Sequence, residues 1–194
     1  MPKKILMIAG PNGAGKTTVA TELLSASSVL YEYINADEIA KGLAPNHPES
    51  MSLTASKLMI GRLKELLENN KNFAFETTAA GSNYLKYLKK AKANGYEINL
   101  FFLWLANPEQ AVKRVAQRVK QGGHHIPKGT IVRRYYAGLT NLISLYLPVT
   151  DRAVLIDNST EEPTGKLIAR KKIKHDIEII DRQIWEKIQR SENE

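Results

Sequence analysis

Nine consecutive residues near the N-terminus, Gly10-Pro11-Asn12-Gly13-Ala14-Gly15-Lys16-Thr17-Thr18, have the types and spacing that hold a phosphate chain. Gly, four residues, Gly, Lys and Thr make a turn whose backbone N–H groups converge on anionic oxygens. The lysine of such a turn reaches the outer phosphates, and the hydroxyl that follows it holds Mg²⁺. Gly10, Asn12, Gly13, Ala14, Gly15, Lys16, Thr17 and Thr18 are therefore candidate contacts to the phosphates of ATP or GTP, with Thr17 as the metal ligand. Phosphoryl transfer would further need a group that takes or orients the acceptor proton, and cations beside the moving phosphoryl.

Two carboxylates stand at candidate strand ends. Asp37 closes Tyr33-Ile34-Asn35-Ala36-Asp37 and can serve as a base, as an aid to the metal, or as the cap of the helix it opens. Glu76 and Thr78, in Phe73-Ala74-Phe75-Glu76-Thr77-Thr78, lie two apart and share one side of an extended segment. They suit an acceptor rich in hydroxyls, or simply cap the strand end. Arg114 and Arg118 are four apart on one predicted helix and share a face. Arg133 and Arg134 stand about 100° apart on the next, which predicts that only one of them faces the site. The fourth predicted strand ends without an acidic residue, so no metal-holding carboxylate is expected there. His124 and His125, adjacent and with no cysteine or spaced acid nearby, do not make a metal site.

These residues need a scaffold, and the chain alternates apolar runs with helical patterns. That alternation predicts an α/β fold: a P-loop NTPase-like parallel sheet of about five strands with helices on both faces. Strands are expected over 4–9, 31–35, 72–76, 97–106 and 153–157. Helices are expected over 16–25, 37–43, 49–70, 84–94, 108–121 and 128–146. The fifth helix has clear boundary chemistry, with Asn107 as N-cap, Pro108 in the first turn, Gln110 three residues after the cap and Gly122-Gly123 beyond the end. Its apolar stripe is Val112, Val115 and Val119; that of the sixth is Ile131, Tyr135, Leu139, Leu142 and Tyr146. Residues 161–165 read as a loop, 167–180 as a small hairpin, and Asp181 as the cap of a last helix carrying Ile184, Trp185 and Ile188. Residues 191–194 read as a frayed tail, and Trp104 and Trp185 as core.

At 194 residues, 43% hydrophobic and 25% charged, the chain fits a single domain, 1–194, with an arginine-bearing lid at about 108–146 and a hairpin plus helix at about 166–190. The absence of cysteine excludes disulfides and thiolate metal sites. The longest apolar run, 100–106, is too short to cross a bilayer, and the start lacks a signal-peptide core; both point to the cytoplasm. The net charge of +8 is concentrated: seven Lys/Arg and no Asp or Glu lie between Gln110 and Thr150, and the rest of the chain is nearly balanced. Such a segment beside a phosphate loop reads as a lid that neutralises a triphosphate. A nucleic-acid end kinase or RNA-acting ATPase is the alternative, disfavoured because it would need a basic stripe beyond the lid. A nucleotide-dependent switch without chemistry is a third reading.

Taken together, these motifs resemble the zeta toxin family of P-loop kinases. The correspondence runs through Gly10 to Thr18, Asn35-Ala36-Asp37, Glu76-Thr77-Thr78, Arg114 to Arg118, Gly122-Gly123-His124-His125-Ile126-Pro127 and Arg134-Tyr135, from residue 5 to about 135. The resemblance implies an ATP- or GTP-dependent kinase with Asp37 as acceptor base. It implies that Lys16, Arg118 and Arg134 hold the γ-phosphate, and that Glu76 and Thr78 bind the acceptor. The founding toxins phosphorylate UDP-N-acetylglucosamine on a sugar hydroxyl, and an antitoxin is the kind of protein partner the family implies.

Overall fold

The run KILMIA can only be buried on both faces, and a strand of that kind belongs in the middle of a parallel sheet. The computed structural model describes residues 2–123, 125–160 and 165–191 and puts it there. Five strands, β1 (Lys4–Ala9), β2 (Glu32–Ile34), β3 (Phe73–Thr77), β4 (Glu97–Trp104) and β5 (Arg152–Asp157), form a parallel sheet in the order β2-β3-β1-β4-β5. Ile5, Met7, Ile8 and Ala9 of the central strand have no exposed surface. All five strands were expected, with ends shifted by a few residues.

The predicted C-terminal hairpin exists but is not separate. Its strands, β6 (Lys166–Lys171) and β7 (Ile177–Ile179), continue the same sheet to seven strands, β6 lying antiparallel to β5 from Ala153↔Lys171 to Asp157↔Lys166. The physical reason is the edge of β5, whose ladder groups β6 satisfies while burying Ile168 and Ala169 completely.

Helices α1 (Lys16–Ser25), α2 (Ala36–Leu43), α3 (Ser52–Glu68), α4 (Leu85–Ala93), α5 (Pro108–Lys120), α6 (Lys128–Asn141), α7 (Leu147–Val149) and α8 (Arg182–Arg190) connect and follow the strands. Within them, α2 packs on α3 and α3 on α4, while α5 packs on α6 and α6 on α8. The caps of α5 and α8 are those expected: Asn107 Oδ1 accepts from Gln110 N at 2.8 Å, and Asp181 Oδ1 from Ile184 N at 3.0 Å. Gln110 Oε1 reaches back to accept from Ala106 N, one residue before the cap, at 3.2 Å.

Two predicted helices are each broken into pieces. The 49–70 helix starts as a 3₁₀ turn, Pro48–Met51, before α3, and the 128–146 helix passes from α6 into a π turn, Leu142–Tyr146. The predicted stripe of α6 is buried throughout, whereas α5 buries Pro108, Ala111 and Val115 and leaves Val112 and Val119 half-buried. Trp104 and Trp185 are core residues as expected. Of the predicted 161–165 loop only Gly165 is described, and of the 191–194 tail only Ser191; the others, like His124, lie outside the described residues. Among the described residues no helix is long and apolar enough to cross a membrane.

Candidate active site

Parallel strands deliver their following loops to one edge of the sheet, and ligands bind in the crevice outside that edge. Here the loops after β1, β2, β3 and β5 bring together Gly10–Lys16, Asn35–Asp37, Thr77–Gly81 and Asn158. A cleft of about 320 Å³ opens among the first three, and α3 and α6 complete its walls. Asn12, Lys16, Asp37, Glu76, Thr78 and Arg134 all line it.

The phosphate loop has the backbone that its glycines permit. Gly10, Gly13 and Gly15 have φ of 144°, 78° and 83°, values that side-chain-bearing residues rarely adopt. A methyl at Gly10 would also strike the Leu103 carbonyl of β4, and one at Gly13 would press on Arg114 Cβ at 3.0 Å. The loop is pinned from β5, where Asn158 Nδ2 donates to the Ala14 carbonyl at 2.8 Å. Lys16 Nζ donates to the Gly10 and Pro11 carbonyls at 3.0 and 2.9 Å, folding back over its own loop. Burial lowers the Lys16 pKa to about 8, partly offset by the negative charges of Glu76 and Asp37 and reinforced by the positive charges of Arg118 and Arg134. The charges of Asp37, Glu76, Arg118 and Arg134, from four other parts of the chain, therefore all act on Lys16.

Asp37 is exposed in the cleft and its charge acts on both Lys16 and Arg134. The capping role that the sequence left open for it falls to Asn35, whose Oδ1 accepts from Asp37 N at 2.8 Å. That leaves the Asp37 carboxylate out of the helix cap. Glu76, only 8% exposed, is engaged on both oxygens: Thr17 Oγ1 donates to Oε2 at 3.1 Å and Tyr33 Oη donates to Oε1. So the acidic group missing from the end of β4 stands at the end of β3, the other neighbour of β1, against the threonine of the phosphate loop. Glu76 and Thr78, expected to act as a pair, line the same cleft, and Glu76 also accepts from Thr17 and Tyr33.

The arginines separate by position. Arg118, which lines a neighbouring groove with Arg114, and Arg134, which lines the cleft, both act electrostatically on Lys16, and Arg133 acts on Arg134. Half-burial lowers the pKa of Arg134, and Asp37 opposes that shift. Arg114 turns to the β5 side, donating to the Ser159 carbonyl at 3.5 Å beside Gln110 Nε2. Contrary to expectation, Arg133 and Arg134 both line the cleft, Arg133 from an exposed position. Their long side chains absorb the 100° between them. Thr18 is exposed on α1 and does not line the cleft. Asp157 is structural: its Oδ1 accepts from Ser159 N at 2.8 Å in a tight turn.

Sequence reasoning gave no role to Tyr33, Asn35 or Asn158, nor to Asn83, which lines the cleft. Asn158 was within reach of the same rule that found Asp37, since it follows the end of a parallel strand. Tyr33 gave no such signal, because an aromatic in a strand reads as packing.

The family model described as Zeta toxin matches residues 1–162. An uncharacterized protein of Haemophilus influenzae is 29% identical over 135 residues, which is 70% of this chain and 94% of that protein. Among solved structures, the complex AvrRxo1-ORF1:-ORF2 with ATP contains a chain that superposes with a TM-score of 0.74 at 16% identity, over 96% of this chain. This chain spans 63% of the length of that one. A chain of the PezAT chromosomal toxin-antitoxin system of Streptococcus pneumoniae superposes with a TM-score of 0.62 at 16% identity, over 100% of this chain and 86% of its own length. At these identities the structural likenesses speak for the fold.

Proposed function

Because the chain belongs to the zeta toxin family, we propose that it is a kinase that moves the γ-phosphoryl of ATP or GTP, with Mg²⁺, onto a hydroxyl of a small molecule. The observation that carries this reading is the cleft beside the phosphate loop, which Lys16, Asp37, Glu76 and Arg134 line together, with the charge of Arg118 also acting on Lys16. The exposed Asp37 carboxylate facing the cleft supplies the base that transfer to a hydroxyl needs.

In this mechanism the backbone N–H groups of residues 12–18 and the Lys16 ammonium grip the phosphates, and Arg114 contacts the nucleotide from the β5 side of the loop. The Asp37 carboxylate takes the proton of the acceptor hydroxyl. The acceptor oxygen bonds to the γ-phosphorus as the bond from phosphorus to the ADP oxygen breaks. Arg118 and Arg134 neutralise the charge on the transferring oxygens, the kind of contribution for which guanidinium groups are suited. Thr78 binds the acceptor, and Asn35, Asn83, Ser52 and Ser56, which also line the cleft, offer it further hydroxyl and amide groups.

Thr17 and Glu76 would hold Mg²⁺. Their oxygens, 3.1 Å apart, are the hard donors the ion prefers, and among the described residues no group of three or more His, Cys, Asp or Glu competes as a metal site. When bound, the ion offsets phosphate charge. Glu76, expected from the resemblance to bind the acceptor, fits this metal-side role better because Thr17 already donates to it.

UDP-N-acetylglucosamine is the acceptor to test first, on the family resemblance. A protein partner of antitoxin type is proposed because the PezAT relative is part of a toxin-antitoxin system. A cysteine-free enzyme that consumes ATP suits the cytoplasm. Incubating the protein with Mg·ATP and a panel of sugar nucleotides, free sugars and nucleosides should yield one product heavier by a phosphoryl group in mass spectra. Asp37→Asn should lose that product while still binding nucleotide. Turnover at the wild-type rate in Asp37→Asn would remove the base, and a panel without product would remove the kinase.

A further inference from the structure

Tyr33 sits on β2, the strand at the edge of the sheet, and an edge tyrosine 37% exposed has no packing reason to turn its hydroxyl inward. It nevertheless donates to Glu76 Oε1, while Asn35 Nδ2 donates to Tyr33 Oη at 3.2 Å. Thr17 Oγ1 occupies the other Glu76 oxygen at 3.1 Å, and Asn35 Oδ1 accepts from the backbone N–H of Asp37 at 2.8 Å. One unbroken chain of hydrogen bonds thus runs from the phosphate-loop hydroxyl through Glu76, Tyr33 and Asn35 to the backbone of Asp37.

We propose that Tyr33 is a positioning residue that holds the Glu76 carboxylate against Thr17, and that it thereby sets how strongly a divalent cation and a nucleotide bind together. Buried polar groups are held by their hydrogen bonds, and each oxygen of the nearly buried Glu76 carboxylate has its own donor. Taking away the Tyr33 hydroxyl leaves Oε1 without its donor and lets Glu76 turn away from Thr17. Groups that orient a metal-holding side chain from behind commonly change metal affinity by about 10–100-fold. The same chain ties the register of α2 to the metal side of the cleft, since Asn35 caps α2 and also meets Tyr33.

This inference rests on the reading of Thr17 and Glu76 as the metal-holding pair, and binding without turnover tests it. ADP affinity is measured by titration calorimetry with and without Mg²⁺, for the wild type, Tyr33→Phe, Glu76→Gln and the double variant. The expected result is a wild-type affinity strengthened by Mg²⁺, a Mg²⁺ enhancement about tenfold smaller in Tyr33→Phe, and metal-free ADP affinity unchanged. Tyr33→Phe should add nothing further in the Glu76→Gln background, because the two act through one carboxylate. A wild type whose ADP affinity ignores Mg²⁺ would overturn the metal-holding pair and the inference with it. An enhancement equal in wild type and Tyr33→Phe would overturn the inference alone. So would a lowered melting temperature in Tyr33→Phe with the enhancement intact, since that marks packing.

Discussion

Lys16 shows how a single side chain records its surroundings. Partly buried and bonded to its own loop, it has a pKa of about 8 against an ordinary value of 10.5, even though two carboxylates favour its charge. Between these values the unfolded chain keeps a proton that the folded one has released. The ligand-free protein therefore gains stability from this group as pH rises through that window, and gains nothing below it. Nucleotide binding runs the other way, because phosphates demand the ammonium. At pH 8 binding should take up about half a proton, and above it affinity should fall by up to about tenfold per pH unit. Calorimetry in buffers of different ionisation enthalpy reads the uptake directly; a binding enthalpy independent of buffer would contradict it. The phosphate loop was legible from residue types alone because its chemistry lies in nine consecutive residues. Tyr33 was not, since its role exists only through Glu76, which is distant in sequence.

At the level of elements, α6 does more than carry arginines. Its Gly138 lies against the Thr78 carbonyl, Asn141 Nδ2 donates to the Ala79 carbonyl at 2.8 Å, and Tyr146 Oη in the π turn donates to the Gly81 carbonyl. The helix thereby fixes the loop after β3, in which Ala79 has a φ of 58°. An alanine Cβ at position 138 would come to 2.5 Å from the Thr78 oxygen. In an exposed helix Gly→Ala stabilises by about 1 kcal/mol. Here overpacking should reverse the sign and Gly138→Ala should destabilise by about 1–3 kcal/mol, as measured by urea unfolding. A stabilised variant would mean that α6 and the loop are free to separate. Sequence periodicity found the buried stripe of α6, since that needs only a period near 3.6. It did not reveal the π turn over Leu142–Tyr146, whose Tyr146 Oη donates to the Gly81 carbonyl.

For the whole molecule, the C-terminal hairpin and α8 close what the parallel sheet leaves open. Lys171 Nζ donates to the Leu147 and Thr150 carbonyls at 2.9 and 2.8 Å, tying β6 to the end of the α6 to α7 segment. Trp185 and Ile188 of α8 are buried in the core cluster, with α8 packed on both α6 and β6. Trp185→Ala should cost about 3–5 kcal/mol and lower the unfolding midpoint with no change in its slope. A loss below 1 kcal/mol would show that α8 only rests on the surface. The sequence by itself determined what depends on neighbours along the chain: the phosphate loop, the five parallel strands, the caps of α5 and α8, and the basic segment. These follow from local sterics, periodicity and hydrogen bonding. Only the tertiary structure decided that Glu76 meets Thr17, that both Arg133 and Arg134 reach the cleft, and that the hairpin extends the sheet. Each of those depends on which strand lies beside which, and strand order arises from packing the whole chain, a quantity that no local window of residues contains.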